Sequence, residues 1–285
     1  MRKPASLLLL SLIIATPLFA QVADGDRHYA LRAEGAQGGR ARTEQIDAAI
    51  AAYQRALAQN AGDVDAQWKL LRAYRFKGAY AAQTNEQKKA IYAVAKTAGE
   101  RARAVVERLL AARGVKSPST ASEKEVANAA RAIPGAAQVY LWDAVNWGEW
   151  ALAYGKLAAA RQGAADRIRR EATIALLVDP ALEAAAPARV LGRLHDQTPR
   201  IPFITGWASS KDAVRFLNES LRLAPGNKLT MVFLAEALVA NDSSKKPEAI
   251  RLLRAAIAAP DDPSYAVEDA AATGDARRLL KAWSA

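Results

Sequence analysis

A small–large–small spacing recurs along this chain and limits its fold more than any other feature. Ala49, Tyr53 and Ala56 stand at i, i+4 and i+7. The spacing returns at Ala213, Leu217 and Ser220, and again at Ala249, Leu253 and Ala256, with Pro225 and Pro260 following the last two. Ala175 with Pro180 is a fainter copy. Residues so spaced share one face of a helix. A small residue on that face lets a second helix pack close, whereas a larger one would push the pair apart. Alternating apolar patterns and β-branched runs are scarce, and much of the 51% hydrophobic content is alanine. This composition suits close-packed helices and argues against a β or α/β fold.

The copies at Ala213 and Ala249 begin 36 residues apart, near the period of about 34 expected for tetratricopeptide repeats. Leu70, Ala73, Tyr74 and Gly78 read as the first helix of such a pair. The expected fold is all-α: an array of helical hairpins, tetratricopeptide-like, wound into a superhelix or compact bundle over 43–285. A sub-boundary is expected near 114–121, where Gly114 and Lys116-Ser-Pro-Ser119 form the clearest linker.

The first twenty residues read as a signal peptide. Arg2 and Lys3 precede an apolar run from Leu7 to Ala15, Pro17 breaks it, and Ala20 offers a small residue for cleavage before Gln21. The run is too short to span a bilayer comfortably. Residues 21–42, with Gly35, Gly38 and Gly39, read as a flexible lead-in. There is no cysteine, which excludes disulfides, thiolate metal sites and lipid attachment through an N-terminal cysteine. The expected compartment is the periplasm, with the protein soluble and not a lipoprotein. The formal charge of +11 falls to +9 without Arg2 and Lys3. Export makes nucleic acid an unsuitable partner, leaving anionic lipid, an anionic solute or an acidic protein.

Between the linkers, helices are expected from Thr43 to Gln59, Val64 to Tyr80, Asn85 to Arg113 (with Gly99 a candidate interruption), Ala136 to Arg161, Ala164 to Val178 and Leu182 to Gln197. Further helices follow to Leu223, over Lys228–Ala240 and Pro247–Ala259, and at the C-terminus. Ser122 with Glu125, and Ser209 with Asp212, have N-cap spacing. Pro187 costs little in a first turn, so the helix that carries it is expected to start near Ala185.

The stretch YLWDAVNWGEWALAYG, Tyr140–Gly155, holds three of the six tryptophans. At 100° per residue Tyr140, Trp147, Trp150 and Tyr154 share one face, with Gly148 and Gly155 beside it as places for a close helix approach. Such a face either packs between repeats, the commoner fate of aromatics at helical spacing, or lines an apolar ligand cleft. Trp142 points away from it.

This stretch extended to Lys156, with DPALEAAAPARVLGRLH (Asp179–His195), PRIPFITGWASSKDAV (Pro199–Val214) and LAPGNKLTMVFLAEAL (Leu223–Leu238), resembles, in this order, the T-component of tetratricopeptide-associated TRAP transporters. The resemblance covers roughly the C-terminal half. It implies an exported helical-repeat protein with a cleft or pore, associated, often as an oligomer, with a periplasmic solute-binding protein that delivers organic acids to a permease. Members are typically lipoproteins, and this chain departs from them in having no cysteine. The alternative class is a cell-envelope scaffold that binds proteins on a concave repeat surface.

Candidate ligand-binding residues are Tyr140, Trp147, Trp150, Tyr154, Arg189, Arg193, Phe203 and Trp207. Arg189 and Arg193 are four apart, on one side of a helix, where they would hold a carboxylate or else form a salt-bridged surface. Phe203 and Trp207 lie in Thr198–Ser210, a long connection, and would either plug a cleft or cover a seam between helix pairs. No HExxH, GxSxG, Walker or dinucleotide fingerprint occurs, and the two histidines, His28 and His195, have no nucleophile at a recognisable motif. No catalytic residue, metal or cofactor is assigned.

Overall fold

The computed structural model describes residues 18–202 and 204–284. Among them the chain forms helices and turns and no β-sheet. In order the helices are α1 (Leu18–Ala30), α2 (Glu44–Gln59), α3 (Val64–Phe76), α4 (Asn85–Ala111), α5 (Glu123–Ala130), α6 (Ala136–Tyr154), α7 (Lys156–Arg161), α8 (Ala164–Val178), α9 (Leu182–Gln197), α10 (Ser210–Leu223), α11 (Lys228–Asn241), α12 (Lys246–Ala258) and α13 (Ala266–Ser284). The expected all-α architecture of helical hairpins is what the chain adopts.

Local sequence sets most boundaries. Asp63 accepts hydrogen bonds from the Asp65 and Ala66 amides at the start of α3, and Thr84 and Gln87 close a capping box on α4. Ser122, Ser209 and Asn227 cap α5, α10 and α11 through their side chains. Where the sequence reads one helix from Ala136 to Arg161, Gly155 at φ 93° ends α6 and begins the short α7. Only glycine adopts that conformation without strain.

Most helices pack on a neighbour in sequence, while α5 packs on α8 and α4 on α6, and the small residues of the repeats lie at helix contacts. Ala49, Tyr53 and Ala56 of α2, Ala213, Leu217 and Ser220 of α10, and Ala249, Leu253 and Ala256 of α12 are all buried. Glycines allow the closest approaches. Gly25 admits the Tyr53 ring between α1 and α2, and Gly192 seats Leu217 between α9 and α10. Gly99 does not interrupt α4. A Cβ there would overlap the Asp143 carboxyl, so it marks the crossing of α4 and α6. Gly148 and Gly155, expected beside a helix contact, have no atom where a Cβ would point.

Two domain-level expectations are corrected. Residues 21–42 are not a free lead-in: α1 packs on α2 and α3 through Val22 and Tyr29, and Tyr53 donates a hydrogen bond to Asp26. His28, placed in that lead-in by the sequence, bonds Gln45 from α1. The glycines that suggested mobility shape the turn that follows. Nor does a boundary fall at 114–121, because Val115 is buried in one core cluster with Leu71, Val106 and Leu110 before it and Val126, Tyr140 and Ile174 after it. The expected signal segment falls mostly on residues 1–17, outside the described residues, and the expected cut after Ala20 lies in the first turn of α1. Among the described residues no helix is long and apolar enough to cross a membrane.

The end of the chain returns to its beginning. Val267 of α13 is buried in the core of α1–α3, Gly39 lies against the Ala271 backbone, and Arg32 pairs with Glu268 at 3.2 Å. The array is thereby closed into a ring. Helices α1, α3, α6, α7, α8, α9, α11 and α13 contribute to its inner face, with α2, α4, α5, α10 and α12 behind them.

Candidate functional site

The inner face borders a wide-mouthed chamber of about 1340 Å³. Five of the outer helices, α2, α4, α5, α10 and α12, contribute nothing to its wall. The chamber is therefore a product of ring closure, with no single hairpin able to make it.

Its polar side begins on α3, where Lys69, Arg72 and Phe76, with Arg75 beside them, line the chamber. Arg72 lies 4.0 Å from the Tyr29 ring centre and 3.7 Å from Glu183. Arg75 donates to the Tyr80 hydroxyl at 2.8 Å and stands 3.5 Å from Glu149. Its charged form is held above the usual range by Tyr80 and Glu149, against the cost of burial. Lys69 is neutralised by Asp26 and Asp65 at 2.7 and 2.6 Å, and Arg193 by Asp196 and Glu236, both at 3.0 Å.

The start of α9 adds a strained element. Glu183, Ala184 and Ala185 have φ of 48°, 52° and 57°, three consecutive non-glycine residues in the left-handed region. Each such residue costs roughly 1–2 kcal/mol. The right-handed helix begins only beyond Ala185, close to where Pro187 predicts it. The inverted turn directs two carbonyls to Arg189: Nη1 donates to Ala184 O at 2.9 Å and Nη2 to Glu183 O at 3.4 Å. Thr230 Oγ1 also accepts from Nη1 at 3.3 Å, and Tyr265 holds the Glu183 carboxylate at 3.1 Å. Among the described residues no carboxylate lies within ion-pair distance of Arg189. Its burial pushes the guanidinium down to about 10, so it stays charged at neutral pH with less solvation than it would have in water.

Much of the rest of the wall is apolar. Val145 and Leu152 of α6, Leu157 of α7, Leu229 and Phe233 of α11, and Ile201 and Ile204 of the α9–α10 loop line it. Leu152, Leu157 and Ile204 are more than 60% exposed, which puts them at the mouth. Gly148 faces the same space, leaving room beside Glu149.

The residues expected from sequence divide unequally. Arg189 and Arg193 both line the chamber. The aromatic face of α6 lies behind the wall. Trp147 and Trp150 are buried among α8 and α9 residues, with the Lys96 ammonium 3.9 and 3.8 Å from their ring centres. Tyr154 stacks on Trp150 at 4.9 Å and is half-exposed. Tyr140 belongs to a different core cluster, so the four rings do not form one surface. Trp207 covers a seam: its Nε1 donates to Asp166 at 2.8 Å and its ring meets His195 at 5.2 Å. Phe203 lies outside the described residues. Trp142, expected to point away from the aromatic face, does so and lines the chamber. Sequence reasoning missed Arg32, Arg72, Arg75, Glu183 and Tyr265. Only the helical spacing of Lys69, Arg72 and Phe76 carried a signal for them.

Two other groups need an account. His195 is buried and accepts the Ser209 amide on Nδ1 at 3.2 Å, with burial pulling its pKa down. It braces the α9–α10 connection. Behind α6, Asp143 and Glu171 are buried together between Arg103 and Arg167, with Arg167 2.6 Å from Asp143 and 3.1 Å from Glu171. Burial raises both carboxyls, and Asp143 raises Glu171 further. Among the described residues no group of three or more His, Asp or Glu side chains is placed to hold a metal ion.

Fold and site together define a class: an all-helical repeat protein wound around a wide-mouthed chamber lined by guanidiniums and apolar side chains. Comparison with known proteins adds little. No family model matches the sequence, and no curated protein matches it. Among solved structures, the TPR2AB-domain:pHSP90 complex of yeast Sti1 is similar over 94% of this chain and 98% of that one, at 15% identity and a TM-score of 0.32.

Proposed function

We propose that this protein is a binding subunit of the cell envelope that holds a small organic acid in its chamber and works beside a solute-binding protein, as the T-components it resembles do. The observation that carries the reading is the chamber itself, about 1340 Å³ with charged donors and aliphatic side chains along its wall. Ligand sites are concave, mostly apolar, and oriented by a few placed polar groups. The signal-like segment supports periplasmic location, and the ordered C-terminal blocks support the family reading. In this proposal the protein is not an enzyme. Glu149, Glu183, Glu268 and Asp26, the acids nearest the cationic side, are bound to Arg75, Arg72, Arg32 and Lys69 rather than poised to move protons.

A second reading, an envelope scaffold for proteins, is favoured by the exposed aliphatic rim of Leu152, Leu157, Ile201 and Ile204. Native mass spectrometry of the full chain purified from its source decides between them. A retained organic anion released on denaturation, with co-purification of a solute-binding protein, is the expected result. An empty protein that captures only assembly or secretion proteins would overturn the transport reading.

A further inference from the structure

The chamber's charges are not balanced, and the imbalance has a definite place. Arg32 has Glu268, Lys69 has Asp26 and Asp65, and Arg193 has Asp196 and Glu236. At the strained start of α9, three guanidiniums, Arg72, Arg75 and Arg189, share two carboxylates, Glu183 and Glu149. Arg189 is the one left without an acid. It is fixed from behind by the Ala184 and Glu183 carbonyls and by Thr230, which take both Nη1 hydrogens and one on Nη2. The Nε hydrogen and the second on Nη2 carry no protein partner among the described residues. Those two groups form the side-on fork that matches a carboxylate. Nearby, Trp142 Nε1 and Arg72 Nε are buried donors without a partner. A buried charge needs a counter-ion, and a buried donor needs an acceptor.

The remaining wall offers no second buried guanidinium without an acid; its one further cation without an ion pair among the described residues is Lys156, exposed beside Leu157. From Val145 through Leu152 and Leu157 to Ile201 and Ile204 the wall is aliphatic and runs out to the mouth. Resting on the binding-subunit reading above, we propose that Arg189 anchors the single carboxylate of an amphipathic monoanion whose apolar body lies along the Val145–Leu152–Leu157 wall. A short dicarboxylate is disfavoured, because its second charge would meet apolar surface or the acids already paired with Arg193 and Lys69, and the remaining cation, Lys156, is exposed to water, where an ion pair is worth little. The left-handed turn at 183–185 then has a purpose. It aims the two carbonyls that hold the guanidinium in place, at a conformational cost that a plain helix start would not carry.

The test is isothermal titration calorimetry with decanoate, 1-decanol and succinate. Decanoate is expected to bind once per chain, at least tenfold more tightly than decanol, with succinate undetectable. Arg189→Gln should remove the preference for decanoate over decanol while decanol binding stays unchanged. Arg189→Lys should keep part of the preference, and Arg222→Gln, an exposed position of α10 outside the chamber, all of it. Leu157→Asp should weaken decanoate and decanol alike. Circular dichroism melts of each variant separate loss of fold from loss of anchor, because a misfolded Arg189→Gln protein would lose decanol as well. If Arg189→Gln keeps the preference, or wild type binds both ten-carbon probes equally, the anchor is wrong and the chamber reading stands. If succinate binds in preference to decanoate, the ligand class is wrong. If no probe binds yet native spectra show a retained molecule, only the monoanion proposal fails. If the native protein is also empty, the binding-subunit reading falls with it.

Discussion

Glu171 and Asp143 show how a residue that reads as ordinary in sequence becomes consequential when buried. Carboxylates on an alanine-rich helix are usually solvated, and nothing in the spacing of α6 or α8 separates these two from their neighbours. Gly99 lets α4 press against Asp143, and α8 brings Glu171 beside it. Burial then holds both acids above the ordinary carboxylate range, Glu171 well above it. The sign of the pH dependence follows. The unfolded chain releases these protons at about pH 4, while the folded chain retains them to higher pH. Above that point the native state binds more protons than the unfolded one, so stability falls as pH rises until the folded groups ionise. Urea midpoints measured from pH 4 upward should therefore decline in wild type, and the decline should be shallower in Glu171→Gln, whose amide does not titrate. Equal slopes in the two proteins would show that the carboxyls are ionised in the fold.

At the scale of the element, α9 is the informative case. Pro187 makes a start near Ala185 legible, because proline is tolerated in a first turn and nowhere deeper. The inverted turn before it is not legible. Left-handed residues are normally announced by glycine or asparagine, and here the positions are Glu183, Ala184 and Ala185. Tertiary partners maintain the conformation. Arg189 holds two of its carbonyls, Ser220 donates to the third at 3.0 Å, and Tyr265 holds the Glu183 side chain. Two substitutions at Ala184 probe it. Ala184→Gly should leave stability unchanged or raise it by up to about 1 kcal/mol, because the relief of the left-handed strain is partly offset by unfolded-state entropy. Ala184→Val should cost roughly 1–2 kcal/mol, since β-branching at positive φ is worse still. Denaturant unfolding of both variants gives the comparison, and a stabilised valine variant would mean the turn is not left-handed in solution.

For the whole molecule, closure is the decisive property. A tetratricopeptide-like array left open is a concave surface; joined end to end, it is a chamber. The join is small: Gly39 against Ala271, Arg32 with Glu268, and Val267 in the N-terminal core. A Cβ on Gly39 would lie 2.6 Å from the Ala271 Cα, too close for any side chain. Gly39→Leu should therefore part the ends while leaving the hairpins intact. Small-angle scattering should report a larger radius of gyration, and hydrogen exchange should quicken in α13 while α6 and α8 stay protected. Unchanged scattering would show that the ring does not depend on this contact.

The sequence by itself determined the helical class, the repeated hairpins, the caps at Ser122 and Ser209 and the small residues at the helix–helix contacts, because these depend on neighbours three or four positions apart. Arg189 and Arg193 were legible for the same reason. Which face of α6 looks inward was not, since Tyr140, Trp147, Trp150 and Tyr154 share a stripe whether that stripe is core or cleft. Only the tertiary structure put Lys96 and α8 over Trp147 and Trp150 and turned Trp142, Val145 and Leu152 to the chamber. The sequence also left Arg189 and Arg193 equivalent. Long-range contacts separated them by giving Arg193 its acids from α9 and α11 and giving Arg189 none. Burial and charge balance are sums over the whole ring, and no local spacing encodes them.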